Sequence, residues 1–210
     1  ILFYVFNSLP HGNWYESPRN ELYAVAVCHK SWHLPGPNCP ALDTIYVPAR
    51  GKTSAPCPYH RKIHLSPDGR YRVNSECLAI TGMRHECWFV LPPAQEWYYR
   101  AKNPDYRILP PIHPNCKPMD DIEFMEMIYP RHSARIYVPR EMDGSMGQII
   151  LEAAHRHPTS LIYWHLDEKF IGATRHIHKL GITPQKGSHL LTLVDENGYT
   201  LVQKFEVVDL

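Results

Sequence analysis

The sequence predicts a mainly β protein, an irregular disulfide-bridged α+β segment followed by a β-sandwich, and three observations carry that prediction. All six cysteines, Cys28, Cys39, Cys57, Cys77, Cys87 and Cys116, fall in the first 116 of 210 residues. Prolines, 20 in all and concentrated in the first 140 residues, break helices there and favour extended segments and turns. From Ile122 onward the texture changes to short apolar runs at regular spacing with turn signals between them, the pattern of a sandwich.

The length allows two domains, each with a core of its own. Lys and Arg number 22 against 21 Asp and Glu, a formal net charge of +1, so no basic stripe exists to neutralise phosphates and nucleic acid is not an expected partner. Residues 1–9 form the one markedly apolar run, far short of the ~20 residues that span a bilayer. The run lacks the basic flank and cleavage site of a signal peptide and reads as a core helix of something larger, so the chain is expected to be a fragment without a transmembrane segment of its own.

In the first segment, residues 21–28 read as a buried strand that ends at the Leu34-Pro35-Gly36-Pro37-Asn38 turn. Further strands are expected at 44–47, at 70–74 after the Ser66-Pro67-Asp68-Gly69 turn, and at 87–91. Pro92-Pro93 opens a helix through Ala101 that carries Trp97, Tyr98 and Tyr99. Adjacent helical positions point apart, so at most two of these rings share a face, and packing is the preferred reading over a stacking platform for sugars. Residues 103–117 are extended and proline-rich. The domain boundary is placed after them, giving 1–117 and 118–210.

An even cysteine count in a loop-rich region favours disulfides among all six, with the connectivity open. Zinc is the alternative, since Cys57-x-x-His60 has ligand spacing and His64 with Cys77 would complete four ligands. No cofactor is expected.

Sandwich strands are expected at 122–128, 134–138, 148–154, 161–166, 176–180, 189–194 and 199–208. Asn197-Gly198 predicts a type I′ hairpin between the last two. Alternation turns Ile162, Trp164 and Leu166 to one face, and Tyr199, Leu201, Phe205 and Val207 to one face of the last strand. No cysteine follows Cys116, so the antibody-type bridge beside a core Trp is missing. His155-x-His157 and His176-x-His178 each put two imidazoles on one strand face, where a solvated polar surface is preferred over a metal site.

Acyl transfer by a serine of the S-x-x-K type requires a lysine three residues on, and none of the serines has one. Gly51-Lys52-Thr53 has its glycine on the wrong side for a K-T-G strand and lacks the glycine-rich lead of a phosphate loop.

Several strings, in order, resemble the C-terminal region of class A penicillin-binding proteins of the 1C type. They are Ile-Leu-Phe-Tyr-Val-Phe-Asn-Ser-Leu-Pro at 1–10, Gly36-Pro-Asn-Cys-Pro40, Cys57-Pro-Tyr-His-Arg61, Arg70-Tyr-Arg-Val-Asn-Ser-Glu-Cys77 and Trp88-Phe-Val-Leu-Pro-Pro-Ala-Gln-Glu-Trp-Tyr-Tyr-Arg100. Asp143-Gly144, Tyr163-Trp-His-Leu-Asp167, Gly187-Ser-His-Leu-Leu191 and Val194-Asp-Glu-Asn-Gly198 continue the series. Two positions depart from it: Cys87 replaces a non-cysteine, and Glu168 stands where a turn glycine is expected.

The resemblance implies the tail of a transpeptidase domain, a cysteine-bearing segment and an immunoglobulin-like terminal domain, non-catalytic in themselves. It also implies a parent glycosyltransferase/transpeptidase that makes peptidoglycan at the periplasmic side of the bacterial inner membrane, anchored through an N-terminal part absent from this sequence. The implied partners are the parent's own transpeptidase domain and a periplasmic protein, α2-macroglobulin-like, or peptidoglycan. A metal-dependent cell-wall hydrolase, a zinc-binding module and a structural spacer are the competing readings.

Overall fold

A computed structural model describes residues 2–9, 21–117, 122–138 and 147–208. The chain folds as two compact units, Ile1–His60 and Arg61–Leu210. The boundary expected after residue 117 falls at 118–121, and Asp143-Gly144 within 139–146, both outside the described residues.

In the first unit a short helix α1 (Leu2–Ser8) leaves Phe3 and Tyr4 exposed. Strands β1 (Tyr23–Cys28) and β2 (Leu42–Val47) pair antiparallel, from Tyr23 opposite Val47 to Cys28 opposite Leu42. β2 begins two residues before the expected start because the ladder runs on until it meets Cys28. The Pro35-Gly36-Pro37 loop lies between them. Gly36 is required there, since a Cβ would stand 2.9 Å from the Cys57 carbonyl oxygen. Among the described residues of this unit, burial is confined to Val27, Cys28, Cys57 and His60.

In the second unit β3 (His60–Leu65) pairs with β4 (Arg84–Phe89). The strand expected at 70–74 is not formed. Arg72 makes only isolated bridges, to Leu65 and to Ile112, because its N–H donates to the Pro111 carbonyl (2.8 Å), so the extended 103–117 segment takes the hydrogen bonds a strand would have used. β3 was not expected at all: Arg61, Lys62 and His64 disguise a strand whose buried positions are His60, Ile63 and Leu65. Ile63 and Leu65 join Trp88, Val90, Leu109 and Ile122 in a small core. Helix α2 (Pro93–Lys102) starts on a proline whose missing N–H costs nothing in the first turn.

The sandwich follows. Its strands are β5 (Met125–Tyr129), β6 (Ala134–Tyr137), β7 (Ile149–His155), β8 (Leu161–Leu166), β9 (Lys169–Arg175), β10 (His178–Ile182), β11 (Gly187–Asp195) and β12 (Thr200–Val208). One sheet has the order β10-β7-β5, the other β6-β12-β11-β8-β9. β6 runs parallel to β12, and the other pairs are antiparallel. Met125, Leu151 and Ala153 from the first sheet meet Trp164, Leu193, Phe205 and their neighbours from the second in one apolar core. The fold class is therefore as predicted, a mainly β chain ending in an immunoglobulin-like sandwich.

The strand expected at 176–180 is β10, which starts two residues later, and an unexpected strand, β9, precedes it in the other sheet, with His176 turning the corner at φ 66°. The Asn197-Gly198 turn is not type I′. Only Gly198 takes positive φ (85°), and its N–H donates to the Asp195 carbonyl (3.1 Å), as in a type I turn followed by a left-handed glycine. The type I′ geometry occurs instead at Asp167-Glu168, between Leu166 and its partner Lys169, with φ of 48° and 69°.

Candidate functional site

Three thiols and one imidazole converge in the first unit. Cys28 ends β1, Cys39 follows the Pro35-Gly36-Pro37 loop, and Cys57 with His60 leads into β3. The loop is held by the Cys57 N–H donating to the Leu34 carbonyl (2.7 Å) and the Cys28 N–H donating to the His33 carbonyl (2.8 Å). His60 Nδ1 lies 3.3 Å from Cys28 Sγ, 3.5 Å from Cys39 Sγ and 3.4 Å from Cys57 Sγ. All four ligand atoms are within 4.8 Å of one another. The Gly36 N–H donates to Cys39 Sγ (3.3 Å) and the Ser31 hydroxyl to Cys57 Sγ (3.1 Å).

Burial and the nearby Lys30 ammonium hold His60 below the usual imidazole value, so the ring is neutral. Burial, with Cys28 and Cys57 as neighbours, pushes the Cys39 thiol up to about 11. Burial also raises Cys28, but hydrogen bonds from Ser31 and the Lys30 backbone outweigh it and leave that thiol below its ordinary value.

The six cysteines thus do not form the three bridges an even count suggests. Cys77 and Cys116 are joined, with Cα atoms 5.2 Å apart. Cys28, Cys39, Cys57 and Cys87 carry free thiols, Cys87 on the exposed side of β4. The zinc set drawn from the sequence, Cys57, His60, His64 and Cys77, is brought together only at its first two members. His64 instead faces His85, Nδ1 to Nδ1 at 2.6 Å, and Cys77 is consumed by its disulfide. Only Cys57-x-x-His60 was readable locally, because Cys28 and Cys39 arrive through a loop closure that spacing does not reveal.

Of the two histidine pairs, His155 and His178 are not on a solvated surface, whereas His157 is half-buried and His176 is exposed. His155 and His178 are each 2 % exposed and their rings lie 6.2 Å apart. Asp195 arrives from β11, a carboxylate that the spacing within either histidine pair does not show. Its Oδ2 is 3.2 Å from His155 Nε2, while its Oδ1 accepts the N–H groups of Asn197 (2.9 Å) and Tyr199 (2.8 Å). The signal in sequence was the turn itself, which favours Asp at its first position. The Thr174 hydroxyl accepts the Trp164 indole N–H (2.7 Å) and stands 3.0 Å from His178 Nδ1. Burial and His155 push His178 down to about 4. These imidazoles are sealed into the core, so they cannot offer an open metal site for hydrolysis.

Of the helix aromatics, Tyr99 packs against Phe89 and Tyr106, and Tyr98 is exposed. A groove of about 690 Å³ opens beside the last hairpin, lined by His157, Thr159, Glu196, Asn197 and the Tyr199 ring, which stacks on Phe124 at 4.0 Å.

The described residues therefore define a β module with a concave polar and aromatic groove and a separate unit built around clustered thiols, in a sequence without a Ser-x-x-Lys motif. Residues 116–205 match the Penicillin-Binding Protein C-terminus Family. Among solved structures, the fibronectin(III)-like modules of Clostridium thermocellum CbhA are similar at 14 % identity with a TM-score of 0.32, over 40 % of this chain and 96 % of that one. No curated protein matches the chain. No described helix is long and apolar enough to cross a membrane.

Proposed function

We propose that this chain is the non-catalytic accessory region of a peptidoglycan synthase of the penicillin-binding protein 1C type, working on the periplasmic side of the bacterial inner membrane. The match of residues 116–205 to the Penicillin-Binding Protein C-terminus Family carries the reading. The ordered strings upstream of that span support the 1C type, and the lack of any Ser-x-x-Lys supports binding rather than acyl transfer. Residues 1–117 dock on the parent's transpeptidase domain, and residues 118–210 meet a periplasmic partner, an α2-macroglobulin-like protein, or the glycan itself.

The groove beside Asn197 favours glycan as the ligand of the module, since it combines an aromatic ring with amide, hydroxyl and carboxylate groups suited to sugar hydroxyls. The test is co-sedimentation of the full chain with purified peptidoglycan, alongside labelling by a fluorescent penicillin. Retention that Asn197→Ala and Tyr199→Ala weaken, with no covalent label, is the expected result. Penicillin labelling of this chain alone sinks the accessory reading. No retention on peptidoglycan, with capture of a periplasmic protein by the same chain, moves the ligand from glycan to protein.

A further inference from the structure

The contacts around His60 are more than its ring nitrogen can use as hydrogen bonds. One Nδ1 atom offers a single proton or a single lone pair, yet three sulfurs stand 3.3, 3.4 and 3.5 Å from it. A tetrahedron with Zn–S bonds of about 2.3 Å and a Zn–N bond of about 2.05 Å has an N-to-S edge of about 3.5 Å. All three contacts fall on or just under that edge, and the ligand atoms lie within 4.8 Å of one another.

We propose that Cys28, Cys39, Cys57 and His60 bind a single zinc ion that holds the first unit together. Three thiolates and a neutral imidazole are a soft, four-ligand set, closed to substrate and therefore structural rather than catalytic. The hydrogen bonds from Ser31 and the Gly36 amide to the sulfurs are those that orient and stabilise metal-bound thiolates. Need points the same way as geometry. Apart from Val27, every buried residue among the described part of this unit is one of the four ligands. A two-stranded sheet with one buried aliphatic side chain cannot hold itself closed by apolar burial, and small units of this kind are stapled by metal or by disulfides. Three thiols cannot all pair among themselves, and the imidazole completes the set without strain on the odd one.

The proposal does not depend on the cell-wall reading, and its test is separate. The full chain is purified without chelator and assayed for metal, then stripped and reloaded with cobalt. The expected results are one zinc ion per chain and, with cobalt, the intense visible bands and sulfur-to-metal charge transfer of a tetrahedral thiolate site. Cys28→Ser, Cys57→Ser and His60→Ala should lose the metal. Cys87→Ser should keep it, and His60→Cys should keep it with shifted cobalt bands. X-ray absorption on the unmutated chain, counting three sulfurs and one nitrogen, decides the matter if the ligand variants do not fold. Absence of both zinc and a cobalt spectrum, or a disulfide joining two of Cys28, Cys39 and Cys57 in the metal-treated chain, overturns the proposal.

Discussion

At Asp167 and Glu168 the β8–β9 turn demands left-handed backbone from two successive residues, with φ of 48° and 69°. Asp tolerates that region, and its carboxylate is employed: Oδ1 accepts the Leu190 N–H at 2.8 Å and Oδ2 stands 2.7 Å from His189 Nδ1. Glu168 has the longer side chain and bears the full steric cost of positive φ. Glu168→Gly is expected to stabilise the chain by about 1 kcal/mol, read as a higher urea midpoint at unchanged slope. A lower midpoint would mean that the Glu168 side chain contributes more than its backbone costs. In the first unit, Ser31→Ala removes the hydroxyl that donates to Cys57 Sγ and should weaken cobalt binding by about 10–100-fold while leaving the form of the cobalt spectrum intact.

At the scale of elements, helix α2 is fastened to the sandwich through one buried cation. Arg156, at the end of β7, donates from Nε to the Glu123 carbonyl (2.7 Å), from its guanidinium to the Leu91 carbonyl (2.6 Å), and to the Glu96 carboxylate on α2. Burial raises the Glu96 carboxyl even with Arg156 beside it, which marks how little water reaches the pair. Arg156→Met leaves that carboxylate buried without its cation and is expected to cost about 3–5 kcal/mol in chemical denaturation. Adding Glu96→Leu should restore most of the loss. If the double variant is no better than the single, the arginine's worth lies in its backbone contacts.

None of this was legible in the sequence, where Glu96 and Arg156 are surface-type residues in unrelated stretches. Legibility followed local pattern. Helix α2 was visible in Pro92-Pro93, and the β11–β12 pairing in Asn197-Gly198, although the turn type was not, since strand register rather than the dipeptide sets the φ of Asn197. β9 escaped because Ile171 is the one apolar side chain among its seven residues that is not exposed on this edge strand, so the alternation that reveals a half-buried strand is faint. The thiol cluster was half visible, through Cys57-x-x-His60, and its other two ligands depend on a loop whose path is fixed by Gly36 against the Cys57 carbonyl.

Across the whole molecule, the two units should answer acid by different chemistry. In the sandwich, burial holds His178 at about 4 against an ordinary 6.5, and burial with neighbouring cations also lowers His157. Between those values the unfolded chain binds the extra protons, so stability rises with pH across the window. The contribution of His178 is complete above pH 6.5 and is lost as pH falls toward 4. His189 runs the other way: its hydrogen bonds to the Gln185 carbonyl and the Asp167 carboxylate outweigh burial and raise it, so its contribution is present in acid and fades as pH rises through the raised value. In the first unit, protons compete with metal for the thiolates, so acid releases zinc there without reference to the sandwich. A thermal-melting series from pH 7 to pH 4 followed by the Trp164 indole resonance should therefore show a falling midpoint that His178→Gln flattens, while zinc release, read with a chromophoric chelator on the same samples, stays as in the unmutated chain. An unchanged melting slope in His178→Gln would place the acid sensitivity elsewhere, at His157, which burial also lowers.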